Sequence, residues 1–79
     1  MKYVVLITEE GETPIIFPKQ LFHDEVANTV ENRGVVSAGF VRLSDGNIEC
    51  YGESLGLELS SRGESDTSLI QHCMTAKEM

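Results

Sequence analysis

The sequence predicts an α+β domain, with an antiparallel sheet of four to five strands in two hairpins, element order ββαββα and helices packed on one face. Three observations carry that expectation. Residues 2–8 are apolar and rich in β-branched side chains, Asp45-Gly46 separates two alternating segments, and two stretches near 20–32 and 65–74 space their apolar residues at helical intervals.

Along the first strand, Tyr3, Val5 and Ile7 fall on one face and Val4 and Leu6 on the other. A strand apolar on both sides is usually central and covered twice. Glu9-Glu10-Gly11-Glu12 forms a turn, and Thr13-Pro14-Ile15-Ile16-Phe17 returns. Proline has no N–H for a ladder, so Pro14 must occupy a non-bonded position on an edge strand. A four-residue loop closed by Thr8 opposite Thr13 meets that condition, whereas a Glu10-Gly11 turn does not.

Pro18 ends the second strand, and a helix is expected over about residues 20–32. Asp24 and Glu25 suit its first turn, Arg33 its last, and Gly34 the left-handed position beyond it. Its apolar stripe comprises Phe22, Val26, Ala27 and Val30, with Leu21 at the margin.

Asp45-Gly46 is a preferred two-residue hairpin turn, and it sets a register between residues 35–44 and 47–53. Leu43 then opposes Ile48, Arg42 opposes Glu49, Val41 opposes Cys50, Phe40 opposes Tyr51 and Gly39 opposes Gly52. Val41, Leu43, Ile48 and Cys50 form a core face on which paired glycines admit a close helix. The other face carries the Phe40–Tyr51 pair beside the Arg42–Glu49 ion pair. Leu55, Leu57 and Leu59 alternate as a further strand or a bent extension, and residues 60–64 are a loop. Ser65 or Asp66 caps a C-terminal helix bearing Leu69, Ile70, Cys73 and Met74, and residues 75–79 are read as a frayed tail.

All 79 residues are read as one domain, a size at which folding buries only about 60% of the unfolded surface. At 41% hydrophobic and 24% charged, the composition excludes disordered, collagen-like and low-complexity classes. No apolar run approaches the roughly 18 residues of a membrane helix. The apolar stretch 3–7 is too short for a signal peptide, so a cytoplasmic location is expected. Cys50 and Cys73 are accordingly read as free thiols.

Thirteen acidic against six basic residues give a net charge of −7. Direct nucleic-acid binding draws on Lys and Arg and is disfavoured, as is an anionic membrane. The charge serves solubility, or else presents an acidic surface to a basic partner or mimics a nucleic acid.

No catalytic constellation emerges. Cys50 lies on the apolar face and His72 is merely adjacent to Cys73. His23, Cys50, His72 and Cys73 lack zinc-ligand spacing, so no metal is expected. Asp24 and Glu25 are explained by the helix dipole. Gly52, Gly56 and Gly63 match no phosphate loop, so no cofactor is expected. Two binding candidates stand out. The face with Phe40, Arg42, Glu49 and Tyr51 has hot-spot composition, unless the C-terminal helix or residues 55–59 cover it. The loop 54–64 carries Arg62, a residue suited to clamping a carboxylate or phosphate.

Ser37-Ala38-Gly39-Phe40-Val41-Arg42, Cys50-Tyr51-Gly52-Glu53-Ser54-Leu55-Gly56-Leu57 and Ser61-Arg62 resemble segments of small uncharacterised proteins encoded in phage and prophage genomes. The resemblance covers mostly the second half of the chain. It implies a small accessory protein of phage origin and assigns no chemistry to any residue. The leading expectation is a non-catalytic interaction protein that meets a protein partner or a second copy of itself. An acidic nucleic-acid mimic that inhibits a DNA-binding protein comes next, and a small thiol enzyme third.

Overall fold

The computed structural model describes residues 1–77, with side chains through residue 74. Its elements run β1 (Lys2–Thr8), β2 (Gly11–Phe17), α1 (His23–Thr29), β3 (Val35–Ser44), β4 (Asn47–Tyr51), β5 (Glu53–Ser54), β6 (Leu59–Ser60) and α2 (Glu64–Lys77). The first four strands form an antiparallel sheet in the order β2-β1-β3-β4, and β5 pairs with β6 apart from it.

β1 is central, and its two-sided apolar pattern explains the layering. Tyr3 and Val5 pack with Val41, Cys50 and Ile70 of α2, whereas Val4 and Leu6 pack with Phe17, Ala38 and Ala27 of α1. The helices therefore cover opposite faces, which corrects the expectation that both pack on one. Tyr3, Val4, Val5 and Leu6 are wholly buried, and each such side chain contributes about 1.5–3 kcal/mol only if its own face is covered.

The β1–β2 register also differs from expectation. Thr8 faces Gly11 rather than Thr13, so the turn is Glu9-Glu10, and Gly11 starts the return strand at φ 97°. Pro14 consequently faces Val5. Ile7 donates to the Gly34 carbonyl at 2.9 Å and accepts from the Arg33 N–H at 2.7 Å. Its backbone groups, and by strand alternation those of Val5, turn toward β3. Nothing asks Pro14 for a proton, and β2 is an edge as expected.

α1 is shorter than the expected 20–32. Asn32 ends it: its amide nitrogen donates to the carbonyls of Ala27 at 2.8 Å and Val30 at 2.7 Å, and its oxygen accepts from the Gly34 N–H at 2.9 Å. Such side-chain bonds compete with helical ones. Phe22 was expected on the apolar stripe, but it precedes the helix and is 64% exposed, while His23 is buried.

β3 and β4 pair as the Asp45-Gly46 turn requires, from Ser44–Asn47 to Phe40–Tyr51. The expected Gly39–Gly52 pair is absent, because the ladder ends at Phe40–Tyr51 and Gly52 turns away at φ 79°. Leu43 is 74% exposed, not core, since the hairpin tip overhangs the covered sheet. Residues 53–60 form a third small hairpin instead of a single strand, making the order ββαββββα. Leu57 and Leu59 pack toward the Val4 cluster, whereas Leu55 stands at the tip, 83% exposed. α2 continues through residues 75–77, where a frayed tail was expected; residues 78–79 of that expectation lie outside the described residues.

Candidate functional site

The Phe40–Tyr51 pair is a built feature of the β3–β4 hairpin. The rings stack with centroids 5.8 Å apart, and the Arg42 guanidinium lies 4.7 Å over Tyr51. Arg42 Nε also donates to Glu49 Oε1 at 2.6 Å. The four residues proposed from sequence thus form one contiguous cluster. Arg42, Glu49 and Tyr51 are exposed, and Phe40 is half-buried.

What half-buries Phe40 is α1. The His23 ring stands edge-on to Phe40 at 5.7 Å and to Phe17 at 5.5 Å, and its Nε2 lies 2.8 Å from the Gly39 carbonyl oxygen. That carbonyl can only accept, so Nε2 carries the proton. Gly52 permits the arrangement: a Cβ there would sit 2.9 Å from the Phe40 ring.

Between α1 and the strand ends runs an open groove of about 480 Å³, with His23, Phe40 and Tyr51 on its walls and Phe22, Asp24 and Leu55 among its other lining residues. Phe22 and Leu55 are mostly exposed and Tyr51 is 41% exposed. Sequence reasoning found the Phe40–Tyr51 wall and missed the opposite one. Phe22 was placed in the core by helical spacing, and Leu55 was assigned to an alternating strand. The usable signal for Leu55 was its position between Gly52 and Gly56, where a turn exposes an apolar side chain.

Arg62 lies elsewhere and is already engaged. Its Nη1 and Nη2 bind Glu12 at 3.2 and 2.6 Å, and its Nε and backbone N–H reach Asp66 at 2.8 and 2.9 Å. It clamps carboxylates, as its type suggests, but they are the chain's own. Asp66 is fully buried and also accepts from the Tyr3 hydroxyl at 2.6 Å, while Ser61 Oγ lies 2.7 Å from that hydroxyl. Burial works to raise the Asp66 carboxyl, yet the hydrogen bonds from Tyr3 and Arg62 outweigh it and hold the group below the usual carboxylate range. Burial and the Asp66 contact push the Tyr3 phenol well above its ordinary value. The arrangement ties β1, the β2 start and α2 together, and its polar atoms are spent on one another.

Cys50 is buried in the same layer, and burial pushes its thiol up, opposite to what a nucleophile needs. Among the described residues, no three His, Cys, Asp or Glu side chains converge as metal ligands, and no helix is long and apolar enough to cross a membrane. In comparisons with protein-family models, curated proteins and solved structures, the chain has no match.

Proposed function

We propose that the chain is a non-catalytic interaction protein, an accessory protein of the kind phage and prophage genomes encode, and that it docks a protein partner in the groove between α1 and the β3–β4 hairpin. One observation carries the reading. Phe22, Tyr51 and Leu55 expose apolar surface around a single groove, in a chain small enough to need its large side chains for the core. The sequence segments that resemble phage-encoded proteins, 37–42 and 50–57, supply most of the groove's sheet-side wall.

The acidic-mimic reading has less support. Glu12 and Glu49 are paired with Arg62 and Arg42, and Asp66 is buried, so these carboxylates do not serve a phosphate-like array. A thiol enzyme would have to work around a buried Cys50.

Site-specific photo-crosslinking in the native host tests the proposal. A photoreactive residue at position 55 is expected to trap one partner, and the same residue at position 43, on the far end of the hairpin, is expected to trap none. Tyr51→Ser should abolish the adduct while leaving the far-ultraviolet circular dichroism spectrum intact. Equal trapping from positions 43 and 55, or an adduct indifferent to Tyr51→Ser, overturns the docking site. An adduct of twice the chain mass identifies a second copy as the occupant and overturns the separate-partner form.

A further inference from the structure

We infer that the groove recognises a cationic side chain, so that its occupant is a polypeptide segment carrying lysine or arginine next to apolar residues. This rests on the docking reading and adds the chemistry of the partner. The groove combines aromatic walls with two carboxylates against one ammonium, that of Lys2. Asp24 and Glu53 both line it, and neither forms an ion pair among the described residues. The Asp24 carboxyl carbon lies 3.9 Å from where a Cβ on Gly56 would sit, which places it against the β5–β6 tip. His23 uses Nε2 as its donor to Gly39, and no hydrogen bond of its Nδ1 is present among the described residues.

Among the described residues Lys2 is the one cation in the lining; its Nζ donates to the uncharged Leu21 carbonyl at 2.9 Å and keeps its charge, and the two carboxylates outnumber it. Lys2 Nζ lies 5.3 Å from the Phe22 ring centroid and the Arg42 guanidinium lies over Tyr51, so these rings already hold the chain's own cations and a partner's cation is left to the Asp24 and Glu53 carboxylates, with the aromatic walls meeting its apolar residues. A net charge of −7 steers a basic partner toward the surface and repels a second copy. A polypeptide suits the site better than a small amine. Phe22 and Leu55 extend the apolar surface outward instead of enclosing it, whereas small-ligand sites bury most of their ligand.

Fluorescence anisotropy and amide chemical-shift mapping with two capped heptapeptides test this. One alternates leucine with arginine, and the other replaces arginine with citrulline, which keeps the shape and removes the charge. The arginine peptide is expected to bind and to shift the amides of residues 22–24 and 51–56, and the citrulline peptide to bind at least about tenfold more weakly. Asp24→Asn combined with Glu53→Gln should remove that difference, with the amide spectrum away from the groove reporting an intact fold. Equal binding of both peptides at the groove overturns the cation inference and leaves the docking reading standing. Binding of the arginine peptide with shifts only outside the groove overturns the inference as well. Absence of groove binding by either peptide, together with a crosslink from position 55 that is indifferent to Tyr51→Ser, overturns both readings.

Discussion

The Tyr3 hydroxyl donates to Asp66 Oδ2 across 2.6 Å in the layer between the sheet and α2. The two residues are 63 positions apart and both are fully buried. Their bond therefore joins the start of β1 to the first turn of α2, and Arg62 extends it outward to Glu12 on β2.

Removing either partner is expected to destabilise the fold by amounts that rank by what is left unsatisfied. Tyr3→Phe keeps the ring in the core and deletes one hydrogen bond to a charged group, at a cost of about 1.5–3 kcal/mol. Asp66→Ala leaves the Tyr3 hydroxyl with Ser61 Oγ alone and strands the Arg62 backbone N–H, while the Arg62 guanidinium keeps Glu12; the unsatisfied N–H adds about 1–3 kcal/mol to the loss of the bonds themselves. Urea denaturation gives both values. In the double variant the effects should fall short of additive, because the two changes remove the same bond. Full additivity would show that the bond contributes nothing to stability.

The same pair sets the pH limits of stability. The Asp66 carboxyl is held below its ordinary value in the folded chain, so its contribution is complete above the unfolded value of about 3.9 and is lost as pH falls through the folded one. Tyr3 and Cys50 are raised. Their contributions are complete below the unfolded values of about 10 and 8.5, and are lost as pH climbs toward the folded ones. Stability measured against pH should be flat in the neutral range and fall at both ends. Tyr3→Phe should reduce the decline above about pH 10, and Asp66→Asn should reduce the acid decline. Unchanged slopes in both variants would assign the titration to other groups.

These limits follow from contacts that no local pattern announces. The β3–β4 register was legible because Asp45-Gly46 dictates it, and the centrality of β1 was legible because five consecutive apolar residues need two covers. That second fact already argued against both helices lying on one face. The Tyr3–Asp66 bond was not legible, since it depends on how α2 docks. Arg62 is suited by type to a carboxylate or a phosphate, or to a solvated loop; the carboxylates it meets sit on β2 and α2, and only the tertiary fold brings Glu12 across 50 positions of chain. The Phe40–Tyr51 wall followed from register, whereas Phe22 and Leu55 needed the late helix start set by Glu25 and the third hairpin. Glu25 Oε1 accepts from the Phe22 N–H at 3.1 Å and holds Phe22 outside the helix.

Two glycines of nearly equal conformation separate backbone strain from packing at the groove. Gly46 and Gly52 have φ of 81° and 79°, but a Cβ at Gly46 meets nothing, while one at Gly52 meets the Phe40 ring at 2.9 Å. Gly46→Ala should cost only the left-handed penalty, about 1–2 kcal/mol. Gly52→Ala should cost more and should shift the ring resonances of Phe40 and His23. Equal costs at the two positions would mean that the Phe40 wall yields freely and is not a fixed surface for a partner.

Thiol accessibility decides how far chemistry has to be considered at all. Cys50 is 4% exposed among Tyr3, Val5, Val41 and Ile70, its N–H bonds to Thr67 Oγ1 at 3.0 Å, and burial raises its thiol. Thiolate is the reactive form, so both access and ionisation oppose attack. In a Cys73→Ser variant, a disulfide reagent at neutral pH should leave Cys50 unmodified until urea opens the core, with a labelling rate that follows unfolding. Ile70→Ala, which removes a neighbour of Cys50 at a cost of about 2–5 kcal/mol, should accelerate labelling about tenfold for each ~1.4 kcal/mol of stability lost. If Cys50 instead reacts within seconds in the native state and Ile70→Ala changes nothing, the thiol has access that the packing does not provide. A nucleophilic role would then displace the docking reading.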